Sequence, residues 1–143
     1  MNKKLVLTIA FTMLLTALGF SQKIKLKKGK VLVDGKAIMK YERQGLGAKM
    51  TLYSLDNDDE IIDMMYVTKG TTHYRGDDFF RMFFSEDEIK VETSQFNGMG
   101  WKRVIKQIIR SKVLDMDGNI NSEKLKKFAR KYDENITNRT VRY

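Results

Sequence analysis

The sequence predicts an α+β fold: an antiparallel β-meander of six or seven strands, followed by two amphipathic helices packed on the sheet. Three observations predict it. Apolar and polar residues alternate with period two in residues 23–28 and 48–55, within a run of short β-rich segments that extends to residue 94. Asp34-Gly35 stands between two β-rich runs, and a type I′ hairpin turn needs φ > 0 at both central residues. From Trp101 onward the apolar residues recur at helical spacing instead. Strands followed by helices is the order of an α+β domain.

The elements follow in order. KIKLKK (23–28) alternates as a half-buried strand, and Lys28-Gly29 offers a turn. KVLV (30–33) and KAIMKYER (36–43) flank the Asp-Gly hairpin. QGLG (44–47) reads as a loose connection, and AKMTLYSL (48–55) alternates again. DNDDE (56–60) is a polar turn before IIDMMYV (61–67). KGTTHYRG (69–76) is the longest loop of the sheet. DFFRMFFS (78–85) has large apolar residues at both alternate sets of positions, which predicts a central strand covered on both sides. IKVETS (89–94) completes the sheet. In WKRVIKQIIRSKVL, Trp101, Val104, Ile105, Ile108, Ile109 and Val113 form one helical stripe. DMDGN breaks it. A second helix starts near Ser122, with Leu125, Phe128, Ala129 and Tyr132 on one face and Asn121 or Ser122 as cap.

Residues 1–21 predict a secretory signal: Lys3 and Lys4, an uncharged run over 5–20, then Gly19 and Ser21 at −3 and −1 of a cut before Gln22. Sixteen residues interrupted by threonines fall short of the roughly 20 that a spanning helix needs. The expected organisation is a signal over 1–21, one α+β domain over 22–135, and a polar tail over 136–143 too short to support itself. The expected location is outside the cytoplasm: periplasmic, outer-membrane-associated or secreted. With no cysteine there are no disulfides, no thiolate nucleophile and no iron–sulfur cluster, and core packing must hold the domain.

The order KKGKVLVDGK, LYSLDNDDEII, an aromatic strand, an amphipathic helix, a short Asp-Gly loop and EKLKKFARKYDENI resembles a group of small uncharacterised exported proteins of the Bacteroidota. The GFSQ ending of the signal fits the same source. The shared motifs are hairpin turns and helix faces, so the resemblance implies an exported α+β protein and no particular site residues.

Charge is segregated in the 22–143 chain. Residues 22–49 hold nine basic and two acidic side chains, residues 50–100 four and eleven, and residues 101–143 twelve and five. Two readings follow. The basic blocks can pair internally with the acidic middle, through cross-strand contacts that contribute roughly 0.2–1 kcal/mol each. Alternatively, the helices present Lys102, Arg103, Lys106, Arg110, Lys124, Lys126, Lys127, Arg130 and Lys131 to an anionic partner, such as acidic lipid headgroups or lipopolysaccharide phosphates. Nucleic acid is disfavoured, because no aromatics interleave with these cations for base stacking.

No catalytic constellation stands out. His73, the single histidine, reads as an exposed loop residue beside Tyr74, Arg75, Asp77 and Asp78. No G-x-S-x-G turn exposes a serine. A typical zinc site lacks ligands. Asp115, Asp117 and Asn119 have the 1, 3, 5 spacing of a calcium loop, but Ile120 replaces the glycine of position 6 and Lys126 the glutamate of position 12. A helix–loop–helix turn accounts for them. DNDDE with Asp63, and Glu86, Asp87, Glu88 and Glu92, read as turn and strand-exit residues. Gly98-x-Gly100 reads as a flexible start to a helix rather than a phosphate turn. Asn135-Ile-Thr137 and Asn138-Arg-Thr140 are glycosylation acceptor patterns, which the bacterial resemblance implies are accidents of a polar tail. Phe79, Phe80, Phe83, Phe84 and Trp101 are expected in the core, while Tyr66, Tyr74 and Phe96 could border a shallow groove.

The sequence therefore favours a non-catalytic, exported cell-envelope module that binds a protein or an anionic surface through a basic helical face, with no cofactor. The alternatives are a carboxylate-dependent hydrolase of the envelope and a structural or stress-related envelope protein without ligand.

Overall fold

The computed structural model describes residues 22–68 and 76–139. The proposed signal, His73, Tyr74 and Thr140 lie outside these residues. Seven antiparallel strands form one sheet in chain order: β1 (Ile24–Lys27), β2 (Lys30–Val33), β3 (Lys36–Gln44), β4 (Lys49–Tyr53), β5 (Glu60–Val67), β6 (Phe79–Phe84) and β7 (Ile89–Thr93). Two helices follow, α1 (Trp101–Arg110) and α2 (Ser122–Tyr132). None of the described helices is long and apolar enough to cross a membrane. The predicted α+β meander with C-terminal helices is the observed architecture.

Register turns the period-two pattern into a two-faced sheet. One row of partners runs Tyr41, Leu52, Ile62, Phe84, Ile89; the next runs Arg43, Met50, Met64, Met82, Val91. Leu52, Ile62, Phe84, Met50, Met64, Met82 and Val91 are all fully buried. Val104, Ile105, Ile108 and Ile109 of α1, with Leu125 and Phe128 of α2, complete one continuous core on this face. α1 packs at the β1 end of the sheet and α2 at the β7 end. Phe128 sits between Phe84, Phe96 and Tyr132, with ring centroids 6.3, 6.3 and 4.7 Å away, in the offset or edge geometries that aromatic pairs prefer.

The opposite face carries Thr51, Asp63, Phe83 and Lys90 in one row and Lys49, Met65, Arg81 and Glu92 in the next. Here the expectation for β6 is corrected. It lies one strand in from the edge of the sheet, Phe79 is buried apart from the main core, and Phe83 is 38 % exposed. Apolar residues on both sides of a strand can equally mean one core face and one half-covered face.

The helix boundaries have local causes. α1 ends at Arg110, short of residue 114, because Lys112 takes left-handed geometry, with φ 58°. The Lys112 and Val113 amides then close back onto the carbonyls of Ile109 and Ile108, a common helix stop. Val113 and Leu114 stay buried beyond it. α2 starts where expected, with the Asn121 side chain accepting from the Lys124 amide at 3.0 Å. Between the helices, Leu114 and Ile120 form a short antiparallel bridge around Asp117-Gly118. Gly118 has φ +82, and a Cβ there would run into the Ile38 carbonyl oxygen of β3. The turn thus packs directly on the sheet backbone.

The tail is also ordered further than its composition suggests. Ile136–Arg139 forms a 3-10 turn, closed by the Asn138 and Arg139 amides on the Asn135 carbonyl and held against β7 through Thr137 and Glu92. Gly118→Ala should cost about 3 kcal/mol from left-handed strain plus backbone collision. Urea unfolding checks this, and an unchanged midpoint would show that the turn does not abut β3.

Candidate functional site

The helices place their cations outward. Burial of the apolar stripes turns the other sides of α1 and α2 to solvent: Lys102, Arg103, Arg110, Lys126, Lys127, Arg130 and Lys131 are exposed, and Lys106 and Lys124 are half-exposed. None of these nine makes an ion pair with a described carboxylate. Lys131 lies over the Tyr132 ring, 5.1 Å from its centroid. No acidic residue occupies the first turn of α1, where two cations sit instead at the positive end of the helix dipole.

The ion pairs of the described residues are made by sheet cations. Lys40 pairs with Asp58, Lys49 with Asp63 at 3.2 Å, and Lys36 with Asp117 at 3.1 Å. Arg81 and Lys90 pair with Glu92 at 3.0 and 3.5 Å. Most involve exposed side chains and add little stability. They show, however, that strand cations take up part of the acidic middle of the chain, while the helix cations have no ion pair to a described carboxylate.

Glu92 is different, and the sequence reading of it as a strand-exit residue is corrected. It sits within β7 and is completely buried, because the 3-10 turn lies over it. Arg81 Nε donates to its Oε1 at 3.0 Å, the Thr137 amide donates to Oε2 at 2.7 Å, and the Thr137 hydroxyl also bonds it. Burial alone would raise its pKa. The Thr137 hydroxyl and amide, the Arg81 guanidinium and the Lys90 charge outweigh that and lower it to about 2. Beside it, Asp133 accepts from the Glu92 amide at 2.9 Å, and Glu134 accepts from the amide and hydroxyl of Ser94 and the hydroxyl of Thr93. For Glu134, burial works upward, while the Ser94 and Thr93 bonds and the Arg139 charge bring a net lowering. This polar seam fastens the end of α2 to the β7 edge. Its partners lie about 40 residues apart or more, so no local sequence pattern announces it.

The aspartate loop is folded onto itself. The Asp115 carboxylate accepts from the amides of Asp117 and Asn119 at 2.8 and 2.9 Å. The Asn119 amide bond is the main cause of a lowered Asp115 pKa. Asp117 pairs with Lys36. Among the described residues no group of three His, Cys, Asp or Glu converges as metal ligands.

Several depressions mark the described residues: one gathers the exposed Asp56, Asp59 and Asp117, the last paired with Lys36, and two others flank the sheet. Of these two, one is lined by Lys28, Lys30, Lys40, Tyr41, Glu42, Tyr53 and Asp58. It brings two carboxylates together, but Asp58 is 81 % exposed and paired with Lys40. The other is apolar, lined by Leu46, Ala48, Tyr66, Phe80, Met99, Trp101 and three glycines. Of the residues expected to border a groove, Tyr66 does so and Phe96 is core. Trp101, expected in the core, is half-buried at this rim, edge-on to Phe80 at 5.4 Å.

Comparisons with protein-family models, with curated proteins and with solved structures found no match.

Two measurements follow. Glu92 has a folded pKa below its ordinary 4.5, so its stabilisation is present above pH 4.5 and is lost as pH falls toward 2. Glu92→Gln should lower unfolding free energy at pH 7 by on the order of 2–3 kcal/mol, and the gap to wild type should close by about pH 2. A pH-independent gap would mean that the charge is not what holds the seam. Millimolar calcium should leave Tm unchanged, because the Asp115 carboxylate already serves two amides; a clear upward shift would restore the calcium-loop reading.

Proposed function

We propose that this chain is a non-catalytic, exported cell-envelope module that binds an anionic surface through the outer side of its two helices. One observation carries the reading: the nine helix cations face solvent with no ion pair to a described carboxylate, while sheet cations take up Asp58, Asp63, Glu92 and Asp117. A cationic face left uncompensated produces a field that draws in and holds anions. Near an acidic bilayer each such Lys or Arg is worth about 1 kcal/mol. The export signal expected over 1–21 supports an envelope setting, where acidic headgroups and lipopolysaccharide phosphates supply the anions.

The hydrolase reading draws less support. A general acid needs a carboxyl that keeps its proton near neutrality, usually by desolvation. The buried Glu92 is held ionised by Thr137, Arg81 and Lys90, Asp58 stands in solvent against Lys40, and the three aspartates that share a depression, Asp56, Asp59 and Asp117, are all exposed, Asp117 against Lys36.

Retention on heparin and on anionic vesicles should be strong at low salt and abolished near molar salt, because such contacts are screened. Charge reversal at Lys124, Lys127 and Arg130 to Glu should weaken vesicle binding at least about tenfold. Reversal of Lys25, an exposed strand residue, serves as the control and should change it little. Retention that ignores salt, or equal losses in both variants, would contradict the reading.

A further inference from the structure

We propose that the end of the domain formed by the Gly45–Gly47 turn and the first turn of α1 seats on an anionic lipid bilayer, with Leu46 entering the acyl boundary. The proposal rests on the anionic-surface reading above and specifies its source and orientation.

Leu46 is the most exposed large apolar side chain of the described residues, at 111 % of its reference exposure, while Met65 and Phe83 are at 36 and 38 %. Its backbone is left-handed, with φ 55, between Gly45 at 57 and Gly47 at 88. A leucine resists this geometry, and glycine or asparagine would adopt it more readily. The fold nevertheless holds the apex firmly. Trp101 Nε1 donates to the Gly47 carbonyl at 2.7 Å, the Ala48 amide to Gly45 at 3.1 Å, and the Tyr66 amide to Ala48 at 2.8 Å. These bonds fix the backbone of the turn, which carries the leucine outward at the rim of an apolar depression that it helps to line.

Beneath it lies the apolar depression of Tyr66, Phe80, Met99 and Trp101, and no lining residue is acidic. Two cations adjoin it: Lys102 and Arg103 follow Trp101 directly and are exposed. Arg43, before the turn, lies over the Tyr41 ring instead, and the Asp78 carboxylate, bonded to a lining residue, is buried against the Tyr66 hydroxyl. An apolar tip, an indole at its base and the adjoining cations Lys102 and Arg103 match an anionic interface, where hydrocarbon lies below and phosphate above. A soluble polyanion would satisfy the two cations and leave Leu46 without purpose. A leucine-accepting pocket on a protein partner would satisfy the tip and is one outcome of the test.

The test uses co-sedimentation with vesicles of phosphatidylglycerol and phosphatidylcholine, vesicles of phosphatidylcholine alone, and heparin. Leu46→Asn suits the left-handed turn and should fold with unchanged Tm. It should lower partition onto anionic vesicles by about tenfold or more, since burying a leucine is worth that much, and leave heparin retention unaltered. Leu46→Met should restore partition. Brominated acyl chains should quench the single tryptophan, Trp101, in the wild type and far less in Leu46→Asn. Anionic-vesicle binding that is equal in wild type and Leu46→Asn overturns the inference, as does wild-type binding to heparin but not to vesicles. In both cases the cationic-face reading survives. Loss of heparin and vesicle binding together in the wild type removes both.

Discussion

A seven-stranded sheet has one apolar face to hide, and among the described residues two α-helices, of ten and eleven residues, hide it. No cysteine is present to cross-link the layers. Every inward position of α1 and α2 must therefore be apolar and fully committed to the core: Val104, Ile105, Ile108, Ile109, Leu125 and Phe128 are all buried. Apolar burial is the dominant favourable term in such a domain. The same commitment leaves the remaining helix positions polar and outward, and this chain fills them with lysine and arginine. The cationic face is the reverse side of the packing solution.

Packing alone leaves the end of α2 beside an exposed sheet edge, a place where strands invite foreign pairing. The chain closes that edge with polar groups. Asp133 and Glu134 bind the backbone and hydroxyls of β7, and Thr137 lies over Glu92. A buried carboxylate is costly unless it is paired and fully hydrogen-bonded, and Glu92 has Arg81, Lys90 and Thr137. The acidic middle of the chain is thus partly consumed in structure by strand cations, and it does not reach across to neutralise the helices.

Much of the architecture was readable from neighbouring residues. Asp34-Gly35 marks a hairpin, the alternation in 48–55 gives the faces of β4, and Asn121 marks the start of α2. These signals act within a few positions of each other. What was not readable depends on distant partners. Glu92 looks like any strand carboxylate until Thr137, 45 residues on, covers it. Phe83 and Phe84 look equivalent until the layer order decides which faces the helices. The early stop of α1 depends on the left-handed Lys112, whose residue type does not signal it. The charge blocks were evident as blocks, but their pairing was not, because proximity in space decides it. Leu46 sat in a segment that reads as a loose connection; only the Trp101 bond to Gly47 reveals it as a fixed apex.

The central claim is that the helices, and not the sheet, meet an anionic surface. Lysine acetylation footprinting by mass spectrometry, with and without anionic vesicles, tests it residue by residue. The account predicts slowed modification at Lys102, Lys106, Lys124, Lys126, Lys127 and Lys131, with Lys25, Lys30 and Lys40 unchanged. Protection confined to the strand lysines, or uniform over the protein, would contradict it.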